Sequence, residues 1–403
     1  MATARVPIRK KSSDLAYDAP LIVVVVALVA FGLMMVFSTT WDISYFQYGS
    51  ATRMFLNQLI SLGAGIVLLV SFAWLPRPWW RIVAIILISI TLASLMYVLL
   101  KGGAKFGAVR GIQPGRFMPS ELARLSLIFY LAVWLTSRGD QLHEWGYGLA
   151  PFAVIVGLTA GLILLQPDIS AAFTVILVSV ILFFLAGADL RQMLVSLAII
   201  GVVGYLVVLS SENAQQRLAA YTSGISDLTQ ASWHVQQAFV AFVDGGVFGR
   251  GLGESRQKFG PLPAPHTDSI FAIVGEELGL LGCVLLIGLL AALVWRGLRI
   301  SARASDPLGS LLAAGLVIWL AIEGLINIAV IVGLIPFAGN ALPFVSYGGS
   351  ALVVSMGAVG LLLNISRNGA SENVPRKILA NYDFSRRDRR RRVSGAGRRE
   401  LVD

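Results

Sequence analysis

PLIVVVVALVAFGLMMVFST, residues 20–39, is a run of 20 residues without a charged side chain. A helix of that length crosses the hydrocarbon core of a bilayer, which is roughly 30 Å thick. Unpaired backbone amides and carbonyls are costly in lipid, so a helix is expected here. Arg9, Lys10 and Lys11 precede the run as in a signal peptide, but the apolar stretch is long enough to span and no small-residue cleavage site follows closely. We therefore predict an uncleaved first membrane span.

Nine further apolar stretches of similar length follow this one. They lie at approximately 54–74, 79–99, 119–136, 150–166, 169–188, 191–210, 269–295, 308–335 and 347–365. Charged residues are only 13% of the 403 residues, whereas a soluble protein carries roughly 25%. The sequence thus excludes a single soluble core and predicts an all-α integral membrane protein with about ten transmembrane helices.

The positions of the basic residues predict the orientation. With the N-terminus in the cytoplasm, 22 of the 32 Lys and Arg residues lie on the cytoplasmic side, and the C-terminus is cytoplasmic as well. We predict a cytoplasmic N-terminal tail over residues 1–15, a membrane domain over 16–367 and a basic, disordered tail over 368–403. The membrane domain contains one long extracytoplasmic loop, residues 211–268. Apolar segments within this loop favour partial membrane association.

The basic tail holds eleven of the 32 Lys and Arg residues between positions 367 and 403. A tail directly after a span is typical of a cytoplasmic end that faces anionic lipid, rather than of a nucleic-acid site. It either fixes the topology or docks a partner. The single cysteine, Cys283, excludes an internal disulfide. The three histidines show no spacing typical of metal ligands.

The first polar motif is RGIQPGRFMPSELAR, residues 110–124. Pro119 suits the first turn of a helix, and Ser120 can cap exposed amides. Glu121 and Arg124 are three residues apart, so they share a helix face and can pair. Such a pair inside a span must face protein or water. Two readings stay open: an internal salt bridge between helices, or a substrate-facing polar cluster.

A second motif, Gln166-Pro167-Asp168, interrupts the apolar run between spans five and six. The motif either forms a tight turn between the two spans, or it places Asp168 to bind a ligand. A further motif, residues 340–350 (NALPFVSYGGS), leads into the last span with the hydroxyl residues Ser346 and Ser350. This segment either exposes backbone amides to a ligand or packs closely against a neighbouring helix.

The motif KFGPLPAPHTD, residues 258–268, joins the long loop to span eight. Asp268 stands where a helix starts, so one reading is a plain N-cap aspartate. The other reading is functional, because Lys258 and His266 are close in sequence and three prolines restrain the loop. A carboxylate flanked by cations at the membrane boundary can act as a general base. It can also hold a divalent cation, Mg²⁺ or Mn²⁺, that binds a diphosphate.

Several cations oppose the topological trend, because they lie on the predicted outer side. Two loops contain most of them: Lys101, Lys105, Arg110 and Arg116 in one, and Arg217, Arg250, Arg256 and Lys258 in the other. Something other than topology must keep these charges outside.

Taken together, these segments resemble the SEDS family (shape, elongation, division and sporulation), typified by FtsW and RodA, over residues 15–367. The resemblance is carried by five motifs in order: Pro119-Ser-Glu121, Gln166-Pro-Asp168, Gly249-Arg-Gly-Leu-Gly253, His266-Thr-Asp268 with Glu276-Glu-Leu-Gly279, and Pro343 to Ser350. The Gln257-Lys258 pair is more similar to FtsW than to RodA. The chain departs from the family pattern at Gly111, Met118, Arg124 and Ser269.

The resemblance implies a peptidoglycan glycosyltransferase of cell division or elongation, in the bacterial plasma membrane and enriched at the septum. Lipid II would be polymerised with inversion, undecaprenyl diphosphate would leave, and a class B penicillin-binding protein would be the partner. Asp268 would be the general base. The substrate would be bound by residues from all the motifs: Arg110, Arg116, Ser120, Glu121, Arg124, Gln166, Asp168, Lys258, His266, Ser346 and Ser350.

Two other functions remain open from the sequence. A lipid II flippase needs a charged path across the midplane, for which Glu323 in span nine is the candidate. Most of the unusual charges lie near one face instead, which favours a surface reaction. A scaffold that only recruits partners is the third function.

Overall fold

A computed structural model describes residues 17–101 and 118–369. Within these ranges the chain forms twelve α-helices and no strand. The helices are α1 (Ala19–Tyr48), α2 (Arg53–Ala73), α3 (Trp80–Lys101), α4 (Pro119–Arg138), α5 (Ala150–Leu164), α6 (Ile169–Leu185), α7 (Leu190–Ser210), α8 (Glu212–Ser226), α9 (Trp233–Gly245), α10 (Ile270–Arg303), α11 (Pro307–Ile331) and α12 (Gly349–Gly369).

Ten of these helices coincide with the ten predicted spans, which confirms the all-α membrane fold. Eight helices in the described part of the chain are long and apolar enough to cross a membrane. Of the other two, α6 is apolar but has only 17 residues, and α4 carries Glu121 and Arg124 near its start. The two short helices of the long loop, α8 and α9, were not predicted from the sequence.

The start of α1 and the end of α12 meet at one end of the bundle. The backbone N–H of Asp18 donates to Ser366 Oγ at 3.3 Å, and its carboxylate binds Arg296 of α10 at 2.5 Å. A second ion pair, Arg77 with Asp306, joins the start of the α3 segment to the start of α11. Both ends of the membrane domain therefore lie on the same side, as the predicted topology requires. We call this side the inner end.

The core of the bundle is centred on α12, which packs against α2, α4, α10 and α11. Most of its side chains from Leu352 to Ile365 are buried. Asn364 makes the contact with α2 specific, because its Nδ2 donates to the carbonyls of Phe72 and Leu75, each at 2.8 Å. These bonds join α12 to the backbone at the end of α2 and just beyond it.

The long helix α10 is kinked at Gly279, whose φ of 68° is left-handed. A side chain there would collide with the backbone of residues 247–249. Residues 246–251 run beside the kink and replace the helical hydrogen bonds that it breaks. The bonds run from Arg250 N to Glu276 O (2.9 Å), Gly251 N to Glu277 O (3.0 Å), Leu280 N to Gly246 O (3.0 Å) and Leu281 N to Val247 O (3.3 Å). The apolar part of the long loop is thereby attached to α10.

Candidate active site

Two loops meet at the end of the bundle opposite the inner end. The first, residues 261–269, precedes α10 and is called the His266 loop. The second, residues 332–348, joins α11 to α12 and is called the Ser346 loop. Two hydrogen bonds join the loops: Tyr347 N donates to His266 O at 2.8 Å, and Ser346 Oγ donates to Thr267 O at 2.7 Å. We call this side the outer end.

Asn327 of α11 binds the backbone of both loops. Its Nδ2 donates to the carbonyl of Asp268 at 2.8 Å and to the carbonyl of Asn340 at 2.6 Å. The side chain is buried, with 2% exposure. An amide inside an apolar helix of a membrane protein is expected to form such interhelical or loop bonds. The backbone at Asp268 is therefore held by a rigid helix.

The carboxylate of Asp268 lies against the Ser346 loop. A Cβ atom added at Gly339 would come within 2.7 Å of Asp268 Oδ2, so the absence of a side chain at Gly339 makes the space for this carboxylate. The N-cap of α10 is Ser269 and the helix begins at Ile270. Asp268 therefore stands one residue before the N-cap.

Gln58 of α2 supports the Ser346 loop from its other side. Its Nε2 donates to Ser346 O at 3.4 Å, and its Oε1 accepts from Gly348 N at 3.3 Å. Ser346 Oγ also accepts from Leu342 N at 2.8 Å. The hydroxyl and carbonyl of Ser346 are thus engaged in fixing the loop.

His266 lies beside Tyr347, with the two ring centroids 5.7 Å apart. Burial lowers the pKa of His266 below its ordinary value, because the charged imidazolium loses hydration. Its Nδ1 is buried without a hydrogen-bond partner among the described residues. Burial therefore favours the neutral form of the imidazole.

The motif at the start of α4 lies near the Ser346 loop. Met118 N donates to Ser350 Oγ at 3.4 Å. Met118 is the N-cap and makes no side-chain cap bond. The prediction that Ser120 caps this helix is therefore wrong, because Ser120 lies inside the first turn and is buried.

Arg124 joins α4 to α11 in a buried cluster. Its Nη1 is 2.5 Å from Glu121 Oε2 and 2.6 Å from Glu323 Oε1. The predicted pairing of Glu121 with Arg124 is confirmed. The geometry is that of an internal bridge between two helices, and the contacts of Arg124 and Glu121 with substrate stay predictions. Glu323, the residue considered for a transport path, is a partner in this bridge.

The Gln166-Pro167-Asp168 motif is the turn between α5 and α6. Gln166 Nε2 donates to Leu95 O of α3 at 3.0 Å. Asp168 caps α6, because its Oδ1 accepts from Ala171 N at 3.3 Å. Both side chains are buried. The motif therefore fixes the outer ends of three helices, and a ligand role for Asp168 stays a prediction.

Lys258 lies in a second buried cluster, between α1 and α10. Its Nζ is 2.9 Å from Glu277 Oε1 and donates to Gly253 O at 2.7 Å. Ser38 of α1 donates to the same carboxylate at 2.7 Å. The Lys258 side chain is only 2% exposed. Its charge is balanced inside the protein, and a contact with substrate stays a prediction.

Glu276, next to Glu277, anchors the chain before Lys258. Its carboxylate accepts from Ser255 Oγ at 2.5 Å and from Arg256 N at 2.7 Å. Charge-assisted bonds of this kind are the stronger class of protein hydrogen bond. The two glutamates of the Glu-Glu-Leu-Gly motif therefore hold residues 253–258 against the kink in α10.

The structure brings most of the predicted site residues to the outer end, but not into one cluster. Asp268, His266 and Ser346 lie together in the two loops, and Ser350 lies beside the start of α4. Lys258 and Arg124 lie in separate buried ion clusters. Arg110 and Arg116 are outside the described residues. No group of three or more His, Cys, Asp or Glu side chains in residues 17–101 and 118–369 is placed to hold a metal ion.

Sequence reasoning missed three residues that shape this site: Gln58, Asn327 and Gly339. A signal existed for the first two, because a side-chain amide within an apolar span needs a hydrogen-bond partner. The role of Gly339 could not be predicted, because the sequence does not show that Asp268 approaches it.

Comparison with known proteins supports the resemblance drawn from the motifs. Residues 19–371 match the family model FtsW/RodA/SpoVE, described as cell cycle proteins. A probable peptidoglycan glycosyltransferase FtsW of Trichlorobacter lovleyi is 39% identical over 364 residues, 89% of this chain and 95% of the relative. Stage V sporulation protein E of Bacillus subtilis is 35% identical, covering 89% of this chain and 98% of the relative.

Two solved structures share the fold. A chain from a peptidoglycan synthase complex that coordinates polymerization and crosslinking superposes with a TM-score of 0.71 and 26% identity, covering 89% of this chain and 100% of that chain. The rod shape determining protein RodA of Thermus thermophilus superposes with a TM-score of 0.64 and 27% identity, covering 88% of this chain and 98% of that chain. The motifs, the helical fold and these relatives agree, and the chain belongs to the FtsW/RodA/SpoVE family of membrane proteins.

Proposed function

We propose that this protein is a peptidoglycan glycosyltransferase that polymerises lipid II at the outer face of the bacterial plasma membrane. The observation that carries the proposal is the junction of the His266 and Ser346 loops, where Asp268 lies against Gly339. A reactive carboxylate at the edge of a helix bundle suits a substrate whose sugar is in water and whose chain is in lipid. Relatives named as probable peptidoglycan glycosyltransferases support the same activity.

In the proposed reaction Asp268 is the general base. Its carboxylate takes the proton from the 4-hydroxyl of one lipid II molecule, and that oxygen attacks the anomeric carbon of the growing chain. The bond from that carbon to the diphosphate oxygen breaks, and undecaprenyl diphosphate leaves with the electron pair. Attack and departure on opposite sides invert the anomeric centre. A positioned base typically contributes about 10²–10⁴-fold to the rate of such a step.

The leaving diphosphate gains negative charge in the transition state, and cations that face it stabilise this charge. Arg110 and Arg116 are proposed for this task. The contribution of Arg124 and Lys258 would be indirect, because both are already bound to carboxylates. Their clusters instead hold helices and loops around the site.

Among the described residues, no group of three or more His, Cys, Asp or Glu side chains is placed to hold the divalent cation predicted from the sequence. Mg²⁺ commonly binds one or two carboxylates together with substrate phosphates. Asp268 is the carboxylate proposed for such binding, with the other oxygen ligands coming from the substrate. No step of the proposed reaction depends on this ion.

We further propose that the protein works with a class B penicillin-binding protein and with other division or elongation proteins. The structural similarity to a chain of a peptidoglycan synthase complex supports such a partner. The match to relatives named FtsW supports a role in division and enrichment at the septum.

The experiment is lipid II polymerisation by the purified protein, with and without its partner. Asp268→Asn keeps the shape of the side chain but removes its basicity, and we expect a loss of about 10²–10⁴-fold in rate. Asp244→Asn is the matched control, because this carboxylate near the end of α9 lies outside the two loops and pairs with Arg250 at 2.8 Å. Full activity of Asp268→Asn would overturn the assignment of the base. Lipid II translocation in liposomes without polymer would support a flippase instead.

A further inference from the structure

The first half of α2 carries a stripe of polar side chains, which we call the α2 stripe. Arg53, Asn57 and Ser61 follow one another at intervals of four residues, so they lie on one face of the helix. At a rise of about 1.5 Å per residue, Ser61 lies roughly 12 Å deeper than Arg53. Arg53 and Asn57 are exposed, and Ser61 is partly exposed. The stripe interrupts a helix that is otherwise apolar enough to cross a membrane.

The α2 stripe does not suit contact with lipid. An exposed amide or guanidinium in a membrane helix is costly when it faces acyl chains, so such groups face protein, water or a polar ligand. Ser61 is satisfied within α2, because its Oγ donates to Asn57 O at 2.9 Å. Within the described ranges, no carboxylate forms an ion pair with Arg53. The guanidinium of Arg53 therefore has donors that a ligand can use.

Residues 347–350, where the Ser346 loop joins α12, lie along the α2 stripe. The side chain of Asn57 interacts with the hydroxyl of Tyr347. A Cβ atom added at Gly349 would stand 2.6 Å from Ser61 Oγ, so glycine permits a close approach of the two segments. The stripe and residues 347–350 thus form one polar surface at the outer end, which we call the Tyr347 surface.

Two aromatic rings border the Tyr347 surface. Tyr347 itself is partly exposed, and its ring centroid is 5.7 Å from that of His266. Tyr48, at the end of α1, is 47% exposed and lies beneath Arg53, whose Cζ is 4.8 Å from the ring centroid. The two tyrosines are near each other, because Tyr48 acts electrostatically on Tyr347. The surface therefore combines aromatic rings with an amide and a guanidinium.

This combination suits a carbohydrate. The C–H face of a pyranose ring packs on an aromatic ring, and a tyrosine offers both an apolar face and a polar tip. Sugar hydroxyl and N-acetyl groups form hydrogen bonds with amide and guanidinium groups. A hydrocarbon chain would leave Arg53 and Asn57 without polar partners, and a phosphate would make no use of the aromatic rings. The chemistry of the surface thus favours a sugar over either of these ligands.

We propose that the Tyr347 surface binds the sugar portion of the lipid-linked substrate. Its position agrees with this role, because Tyr347 N donates to His266 O at 2.8 Å and His266 is two residues before Asp268. A sugar packed on Tyr347 would lie beside the loop that carries the proposed base. The assignment of this sugar to lipid II rests on the proposed function. Arg53, Asn57 and Tyr347 would bind the substrate without taking part in the chemical step.

The test is the binding of fluorescent lipid II to the full chain in lipid nanodiscs, with Asp268→Asn present to prevent turnover. Undecaprenyl phosphate, which has the chain but no sugar, is the comparison ligand. Asn57→Leu should raise the Kd for lipid II about tenfold, the upper range for one lost hydrogen bond, without changing the Kd for undecaprenyl phosphate. Tyr347→Leu should act similarly, whereas Tyr347→Phe, which keeps the ring, should bind lipid II more tightly than Tyr347→Leu. Asn213→Leu is the matched control, at an exposed position of α8.

With Asp268 intact, Asn57→Leu should raise the KM for lipid II more than it lowers kcat, as expected when uniform binding is lost. Wild-type Kd values for lipid II from both Asn57→Leu and Tyr347→Leu would overturn the proposal, and so would an equal loss of undecaprenyl phosphate binding. A wild-type protein that binds lipid II through these residues but forms no polymer would refute the proposed function and support the sugar site. The two failures are therefore distinguishable.

Discussion

Ion pairs between helix ends contribute to the inner end of the bundle, whereas the two loops at the outer end are joined to each other and to α11 by neutral side chains. At the inner end, ion pairs between helix ends join α1 to α10 through Asp18 and Arg296, and the α3 segment to α11 through Arg77 and Asp306. At the outer end, neutral side chains donate to backbone carbonyls of the two loops. Asn327 and Ser346 are the main donors there.

The difference matches what each end must do. Ion pairs engage the carboxylates that form them, so Asp18 and Asp306 have structural roles at the inner end. At the outer end the bond from Asn327 uses the main-chain oxygen of Asp268. The backbone of the proposed base is therefore fixed through its main-chain oxygen. A rigid support of this kind places a catalytic group more accurately than a mobile loop does.

The largest stability effect is expected at the inner end. Arg296→Met leaves the Asp18 carboxylate without its partner in a largely buried site, with 13% exposure. Breaking a buried pair on one side costs about 3–5 kcal/mol. Denaturant titration in detergent micelles measures this loss. Adding Asp18→Asn, which keeps the helix cap to Leu21 N, should restore most of it, and an unchanged stability in the single variant would contradict the structural role.

A smaller stability loss with a larger loss of activity is expected at Asn327. Asn327→Ala leaves the carbonyls of Asp268 and Asn340 without their buried donor, at a cost of about 1–3 kcal/mol. Hydrogen exchange should rise in residues 263–269 and 338–347, and polymerisation should fall more than the stability loss explains. If exchange rises but the rate stays at the wild-type level, the two loops do not position the base.

The smallest effect concerns His266. Because burial lowers its pKa in the folded protein below the ordinary value of 6.5, the unfolded chain binds more protons between the two values. Stability should therefore fall as pH drops through 6.5 and stop falling below the lowered pKa. His266→Gln should remove this component, which a comparison of the two stability-against-pH curves measures. Identical curves would show that His266 does not titrate with folding.

The helices were predictable from the sequence because each is a long apolar run. For example, the predicted stretch 20–39 lies entirely within α1, and 191–210 almost coincides with α7. The helix α8 was not predictable in this way, because its sequence is largely polar and contains no long apolar run. The kink at Gly279 could not be predicted either. The hydrogen bonds that replace the broken helical ones come from residues 246–251, which are distant in sequence.

The site was predicted less completely than the fold. The sequence predicted the Glu121–Arg124 pair correctly, because a pairing within one helix depends only on spacing. The role of Asp268 stays a prediction. The sequence could not show that Glu323 from α11 completes the Arg124 cluster, or that Glu277 and Ser38 surround Lys258. These contacts depend on how helices distant in sequence pack, so the sequence left Arg124 open between an internal bridge and a substrate contact, and only the family resemblance implied a substrate contact for Lys258.

The position of the Asp268 carboxylate is the central claim, and Gly339→Ala tests it most directly. The new methyl group would stand 2.7 Å from Asp268 Oδ2, so the carboxylate must move while the chain stays folded. A displacement of about 1 Å can cost about 10²-fold in rate. The control is Gly324→Ala on α11, whose added Cβ makes only an ordinary contact, 3.6 Å from Leu290 Cδ1. The measurement is the kcat of lipid II polymerisation: the account predicts a fall of about 10²-fold for Gly339→Ala alone, and equal kcat in the two variants would contradict it.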